Sequence, residues 1–213
     1  MLPVNELFTG EYFRSIMDFY NSYEAAQEKI FFRQLPPHKV KTVFYGDSIT
    51  WGFDLHEFFP GISALNRGIP GDNLNGLYFR LDEDVLPYQP EQVVFHGGIN
   101  QIGEDNPTML RRYQVIGNIL KDAGIKVYFA SILPLRHGDQ WNRFQYQDKI
   151  AELNSQLRKI AEKDFAGFID YHSALLDDNN ELAEKFARPD GTHITFYGYQ
   201  VMAKILQEKV DLF

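Results

Sequence analysis

Five short runs rich in β-branched and aromatic residues recur along the chain, at positions 40–45, 62–65, 92–96, 126–130 and 167–170. Stretches with helical spacing separate them. Leu74, Leu77, Tyr78, Leu81 and Val85 share one face, and Leu110, Tyr113, Ile116 and Leu120 another. Tyr146, Ile150, Leu153, Leu157 and Ile160 form a third stripe, and Tyr197, Val201 and Ile205, with Met202 and Leu206, a fourth. Regular strand–helix alternation requires parallel strands joined by crossover helices and covered on both faces. The expected fold is therefore α/β: a three-layer α/β/α sandwich around a five-stranded parallel sheet. Asn106 before Pro107 reads as a helix N-cap, and Asp122-Ala123-Gly124 as that helix's end.

Nothing in the remaining pattern divides the chain. At 213 residues it is long enough for one core, and repeats, low-complexity tracts and linkers are missing from it. Residues 1–213 are read as one domain, with residues 1–35 as an N-terminal helical extension outside the alternation. Tyr12, Phe13, Ile16, Met17, Tyr20 and Tyr23 recur there at helical spacing before Pro36-Pro37 ends the segment. Such a helix packs on the sandwich, closes over a site as a lid, or joins two copies into a homo-oligomer.

Charge and composition exclude several function classes. A net charge of −8 disfavours nucleic acid and anionic lipid as partners, since no basic patch overrides it; the adjacent basic pairs are Arg111-Arg112, within a mixed helix pattern, and Arg158-Lys159. No apolar run is long enough to span a membrane. The first residues lack the basic start and apolar stretch of a signal peptide, so a cytoplasmic location is expected. With no cysteine there is neither a disulfide framework nor a thiolate nucleophile, and no histidine pair shows the i, i+4 spacing of a zinc site.

In a parallel sheet, ligands bind beyond the carboxyl ends of the strands. Gly46-Asp47-Ser48 follows the first run, where a sharp turn can hold a hydroxyl clear of the sheet. A Gly-Asp-Ser triplet occurs by chance in about 5% of chains this long, and Ser48 alone could be a helix cap. Asn66-Arg67-Gly68-Ile69-Pro70-Gly71-Asp72 follows the second run, offering glycine N–H groups to a ligand, or a plain turn with Asp72 or Asn73 capping the next helix. Gly97-Gly98-Ile99-Asn100 follows the third, with an amide able to donate to a developing oxyanion. Asp190-Gly191-Thr192-His193 precedes the last helix; a carboxylate three residues before a histidine can fix its tautomer, leaving Nε2 to take a serine's proton.

Each signal is modest alone, and their joint order is decisive. Gly46-Asp47-Ser48, then Gly68, then Gly98-x-Asn100, then Asp190-x-x-His193 resembles the four signature blocks of the SGNH hydrolases, also called GDSL esterases and lipases. The resemblance runs from about Lys39 to the C-terminus. It implies a flavodoxin-like sandwich and a serine esterase acting on a small-molecule ester. Ser48 would be the nucleophile, His193 the base and Asp190 its orienting acid. The N–H groups of Ser48 and Gly68 and the Asn100 amide would form an oxyanion hole. No metal or organic cofactor is implied.

Gln101 departs from the family pattern, in which Asp often follows the block-three asparagine. By analogy Asp47 braces the turn. His38 and His56 read as surface residues, and His96 and His172 as structural ones. The loop after the fourth run holds Arg136, His137, Asp139, Gln140, Trp141 and Asn142, a mixture suited to a polar alcohol such as a sugar. His137 and Trp141 are its candidate substrate contacts. Short-acyl esters of such an alcohol are the expected substrates; a lysophospholipase or thioesterase of the same family, or a non-catalytic binding module, are the alternatives.

Overall fold

The computed structural model describes residues 18–20 and 22–213. Five strands, β1 (Thr42–Gly46), β2 (Ala64–Gly68), β3 (Gln92–His96), β4 (Lys126–Ala130) and β5 (Gly167–Ile169), form one sheet. Its order is β2-β1-β3-β4-β5 and every pairing is parallel, the flavodoxin-like doubly-wound arrangement.

Successive side chains of a strand face opposite ways, so each strand feeds two cores. Val43, Tyr45, Val93, Phe95, Val127 and Phe129 face one layer. It is built from α4 (Leu74–Phe79), α5 (Leu81–Asp84), α6 (Asn106–Asp122) and α7 (Gln147–Asp164). Phe44, Val94, Ala130 and Ile169 face the other layer, with α2 (Ser48–Trp51), α3 (Leu55–Phe58), α8 (His172–Leu175) and α9 (Phe196–Lys209). Burial on both faces explains why these strands lack polar alternation.

Three local expectations are corrected. The second strand does not stop before Asn66: Asn66, Arg67 and Gly68 continue the ladder opposite Phe44, Tyr45 and Gly46. Asp105, whose carboxylate accepts from Thr108 N–H at 2.9 Å, caps α6 in place of Asn106. On α9, Val201, Met202, Ile205 and Leu206 pack on this core as expected, joined by Tyr199 and Ala203, but Tyr197 is 64% exposed. Phe53 selects that face by stacking on Tyr199 at 5.4 Å.

Of the N-terminal aromatic stripe, Tyr12, Phe13, Ile16 and Met17 and the Tyr23 side chain lie outside the described residues. Helix α1 (Tyr23–Gln34) follows. Tyr20 and Phe32 are buried with Ile69, so this part of the extension packs on the sandwich.

Candidate active site

The carboxyl end of β1 is built for close approach. Gly46 lies between Gly68 and His96 in the sheet, and a Cβ there would collide with the His96 carbonyl. Asp47 then leaves the strand, and its carboxylate accepts from Ile49 N–H at 3.0 Å, capping α2. Burial pushes the Asp47 carboxyl up to about 7. Ser48 therefore opens a short helix. Its own N–H makes no hydrogen bond among the described residues.

The loop before α9 presents the partner groups. Asp190 Oδ1 accepts from the N–H groups of Thr192 (2.9 Å) and His193 (2.7 Å), and Asp190 Oδ2 lies 3.0 Å from His193 Nδ1. Burial works to raise the Asp190 carboxyl, but these hydrogen bonds outweigh it and hold it below the ordinary carboxylate range. Gly191, at φ +73°, makes the turn, and the loop after β4 grips it through Arg136 N–H to Gly191 O and Gln140 N–H to Asp190 O. His193 Nε2 lies 2.8 Å from Ser48 Oγ. An imidazole so oriented can remove the hydroxyl proton, and Asp190 can stabilise the imidazolium that forms. Asp170 is elsewhere, ion-paired with Arg158 and capping Ser173.

The structure brings Asn100 to the same end of the sheet, where its Nδ2 donates to Asp72 O at 2.7 Å. It does not leave Gly68 available. The Gly68 N–H donates to Asn66 Oδ1 at 2.9 Å, and the residue is packed against the Trp51 backbone. As the last residue of β2, Gly68 serves close packing, and the oxyanion role expected of it is withdrawn. Three residues on, Gly71 sits at φ +79° beside Pro70, and its N–H makes no hydrogen bond among the described residues. The Pro70-Gly71-Asp72 turn was the sequence signal for it.

A network fixes this turn from below. Asp72 and Arg80 are fully buried; Asp72 Oδ2 accepts from Arg80 Nε at 2.7 Å, and Asp84 from Arg80 Nη1 at 2.8 Å. Arg80 Nη2 donates to Gly46 O at 2.9 Å. Asn73, not Asp72, caps α4. Gln101 accepts from Leu74 N–H at 2.8 Å, so its departure from the family pattern serves that helix start.

A cavity of about 390 Å³ opens beside Ser48 and His193. Pro70, Gly52 and Tyr199 line it from the sandwich, and Trp51, Arg188 and the α1 residues Gln27 and Glu28 complete it. Those last four were not singled out from sequence, although Trp51 stands one helical turn beyond Ser48. Trp141 sits edge-on to His193, centroids 5.4 Å apart, but is not part of the cavity lining. His137 is outside the cavity too: its ring lies against Phe144 and its N–H donates to Glu181. His96 and His172 are buried, as expected of structural histidines, and burial drives the His96 pKa down to about 4.

The chain belongs to the GDSL-like lipase/acylhydrolase family, whose model matches residues 44–201. It is thus a hydrolase of the esterase type. Among solved structures it is similar to a candidate acylhydrolase from Bacteroides fragilis, at 29% identity and TM-score 0.77, covering 90% of this chain and 96% of that one. A GDSL-like lipase from Bacteroides thetaiotaomicron matches at 24% identity and TM-score 0.72, covering 93% and 96%. An acetylxylan esterase from Geobacillus stearothermophilus matches at 17% identity and TM-score 0.66, covering 84% and 97%. No curated protein matches the sequence. No described helix is long and apolar enough to cross a membrane.

Proposed function

We propose that the chain is a serine esterase of short-acyl, chiefly acetyl, esters of a polar alcohol such as a carbohydrate. The observation that carries this reading is the Ser48–His193–Asp190 relay, with contacts of 2.8 and 3.0 Å. His193 removes the Ser48 proton as Oγ attacks the acyl carbonyl, and Asp190 holds the imidazole in the required tautomer. The tetrahedral oxyanion is met by the N–H groups of Ser48 and Gly71 and by the Asn100 amide. His193 then returns the proton to the departing alcohol, and water repeats the cycle on the acyl-enzyme.

The cavity supports a small substrate, since about 390 Å³ is at the lower end for ligand pockets. Gln27, Glu28 and Arg188 in its lining offer hydrogen bonds that an alcohol can use and a lipid tail cannot. The acetylxylan esterase neighbour, which shares the fold, is named for an acetyl ester of a carbohydrate. A p-nitrophenyl ester series tests the reading: kcat/KM is expected to peak at acetyl or butyryl. Ser48→Ala is expected to abolish both turnover and fluorophosphonate labelling. Full activity in that variant sinks the mechanism, and a maximum at ten carbons or more overturns the acyl preference.

A further inference from the structure

We infer that helix α1 is a specificity wall, with Glu28 the residue that selects neutral, hydroxyl-rich alcohols as the leaving group. The inference rests on the esterase reading and deepens it. Helix α1 lies before residues 44–201, which the family model matches, and its Gln27 and Glu28 line the same cavity as Ser48 and His193.

The wall is held in place from several sides. Glu28 Oε1 accepts from Trp51 Nε1 at 2.9 Å, joining α1 to the helix that carries Ser48. Just before α1, Tyr20 Oη donates to the buried Asp72 carboxylate at 3.0 Å. Phe32 lies under the Arg67 guanidinium at 4.4 Å, and Arg33 pairs with Glu83 through both nitrogens that reach it. A segment tied to the core at these points presents its polar groups in fixed positions.

The chemistry of the wall decides the ligand class. Glu28 uses one oxygen on Trp51 and makes no other hydrogen bond among the described residues. Across the cavity lining, Arg188 spends Nε on Ile194 O at 3.1 Å, and its two Nη groups have no partner among the described residues. Glu28 and Arg188 do not pair with each other, so one negative and one positive group share the cavity and cancel in net charge. An anionic alcohol is drawn to Arg188 but repelled by Glu28, and a cationic one the reverse, so neither sign of charge gains a net advantage. A neutral polyol satisfies both, donating to the carboxylate and accepting from the guanidinium, with the Gln27 amide as a third contact. Sites built to hydrogen-bond a hydroxyl discriminate strongly against analogues lacking it.

The test compares kcat/KM for 6-O-acetylglucose with kcat/KM for p-nitrophenyl acetate in the full chain. Glu28→Ala is expected to lower that ratio about 10–100-fold, the range for losing a hydrogen bond to a charged group. Glu28→Gln keeps an acceptor for Trp51 and is expected to recover most of the ratio. Thermal unfolding of both variants separates folding from selection. An unchanged ratio in Glu28→Ala overturns the inference, as does an equal loss on both esters with a lowered Tm. A wild type that cleaves p-nitrophenyl acetate but not the sugar ester also overturns it, leaving the esterase reading intact. Neither ester cleaved, with no fluorophosphonate labelling, overturns that reading itself.

Discussion

Asn100 Nδ2 donates to the main-chain oxygen of Asp72 at 2.7 Å, tying the loop after β3 to the turn after β2. One hydrogen of the amide thus joins the two loops, and in the proposed mechanism the other meets the developing oxyanion.

Replacing Asn100 by Ala removes the tether and, in the proposed mechanism, an oxyanion donor with it. The expected result is a fall in kcat of about 10²–10³ with KM nearly constant, because the interaction is made in the transition state. Steady-state kinetics on p-nitrophenyl acetate reads this directly. A change confined to KM would assign Asn100 to ground-state binding.

Arg80 neutralises two buried carboxylates and donates to Gly46 O from one side chain. Arg80→Met fills much of the same space but strands Asp72 and Asp84 as unpaired charges. The expected cost is about 3–5 kcal/mol, which for a chain of this size lowers Tm by about 6–20 °C. Calorimetry showing a shift below about 2 °C would mean that the network is not stabilising.

The Asp47 carboxyl, raised by burial to about 7, makes stability depend on pH with a definite sign. Between the ordinary carboxylate value and about 7 the folded chain holds a proton that the unfolded chain has lost. Stability from this group is complete below that window and is lost as pH rises through it. Asp47→Asn keeps an acceptor for Ile49 N–H and removes the titration. The variant is expected to gain on the wild type by up to about 4 kcal/mol between pH 4 and 7, three pKa units at 1.36 kcal/mol each. Parallel Tm-against-pH curves for the two would refute it.

What was legible in sequence follows from what local pattern encodes. Strands β3 and β4 stand where the apolar runs end, because Val, Phe and Tyr buried on both faces leave no ambiguity of span. The relay was legible because Gly46-Asp47-Ser48, Gly98-x-Asn100 and Asp190-x-x-His193 follow one another in the order of the family's signature blocks, each too modest to decide it alone. Strand β2 was cut short because Asn66 and Arg67 are polar. They stay in the sheet through contacts remote in sequence: Asn66 donates to Thr50 O and Phe53 O, and Arg67 is sandwiched between Phe32 and Tyr88. Gly68 and Gly71 could not be told apart for the same reason, since the Asn66 side chain alone decides which N–H is taken. The Glu28–Trp51 bond spans 23 residues and leaves no periodic trace.

The 2.8 Å contact between Ser48 and His193 joins positions 145 residues apart. During synthesis at about 5–20 residues per second, the serine leaves the ribosome roughly 7–30 s before the imidazole. Throughout that interval the nascent chain carries a hydroxyl with no group to deprotonate it, and the loop after β4 has nothing to grip. Onset of ester cleavage therefore waits until the loop at 190–193 has been made, and a radiolabelled fluorophosphonate would find no target on ribosome-bound chains that end before residue 190.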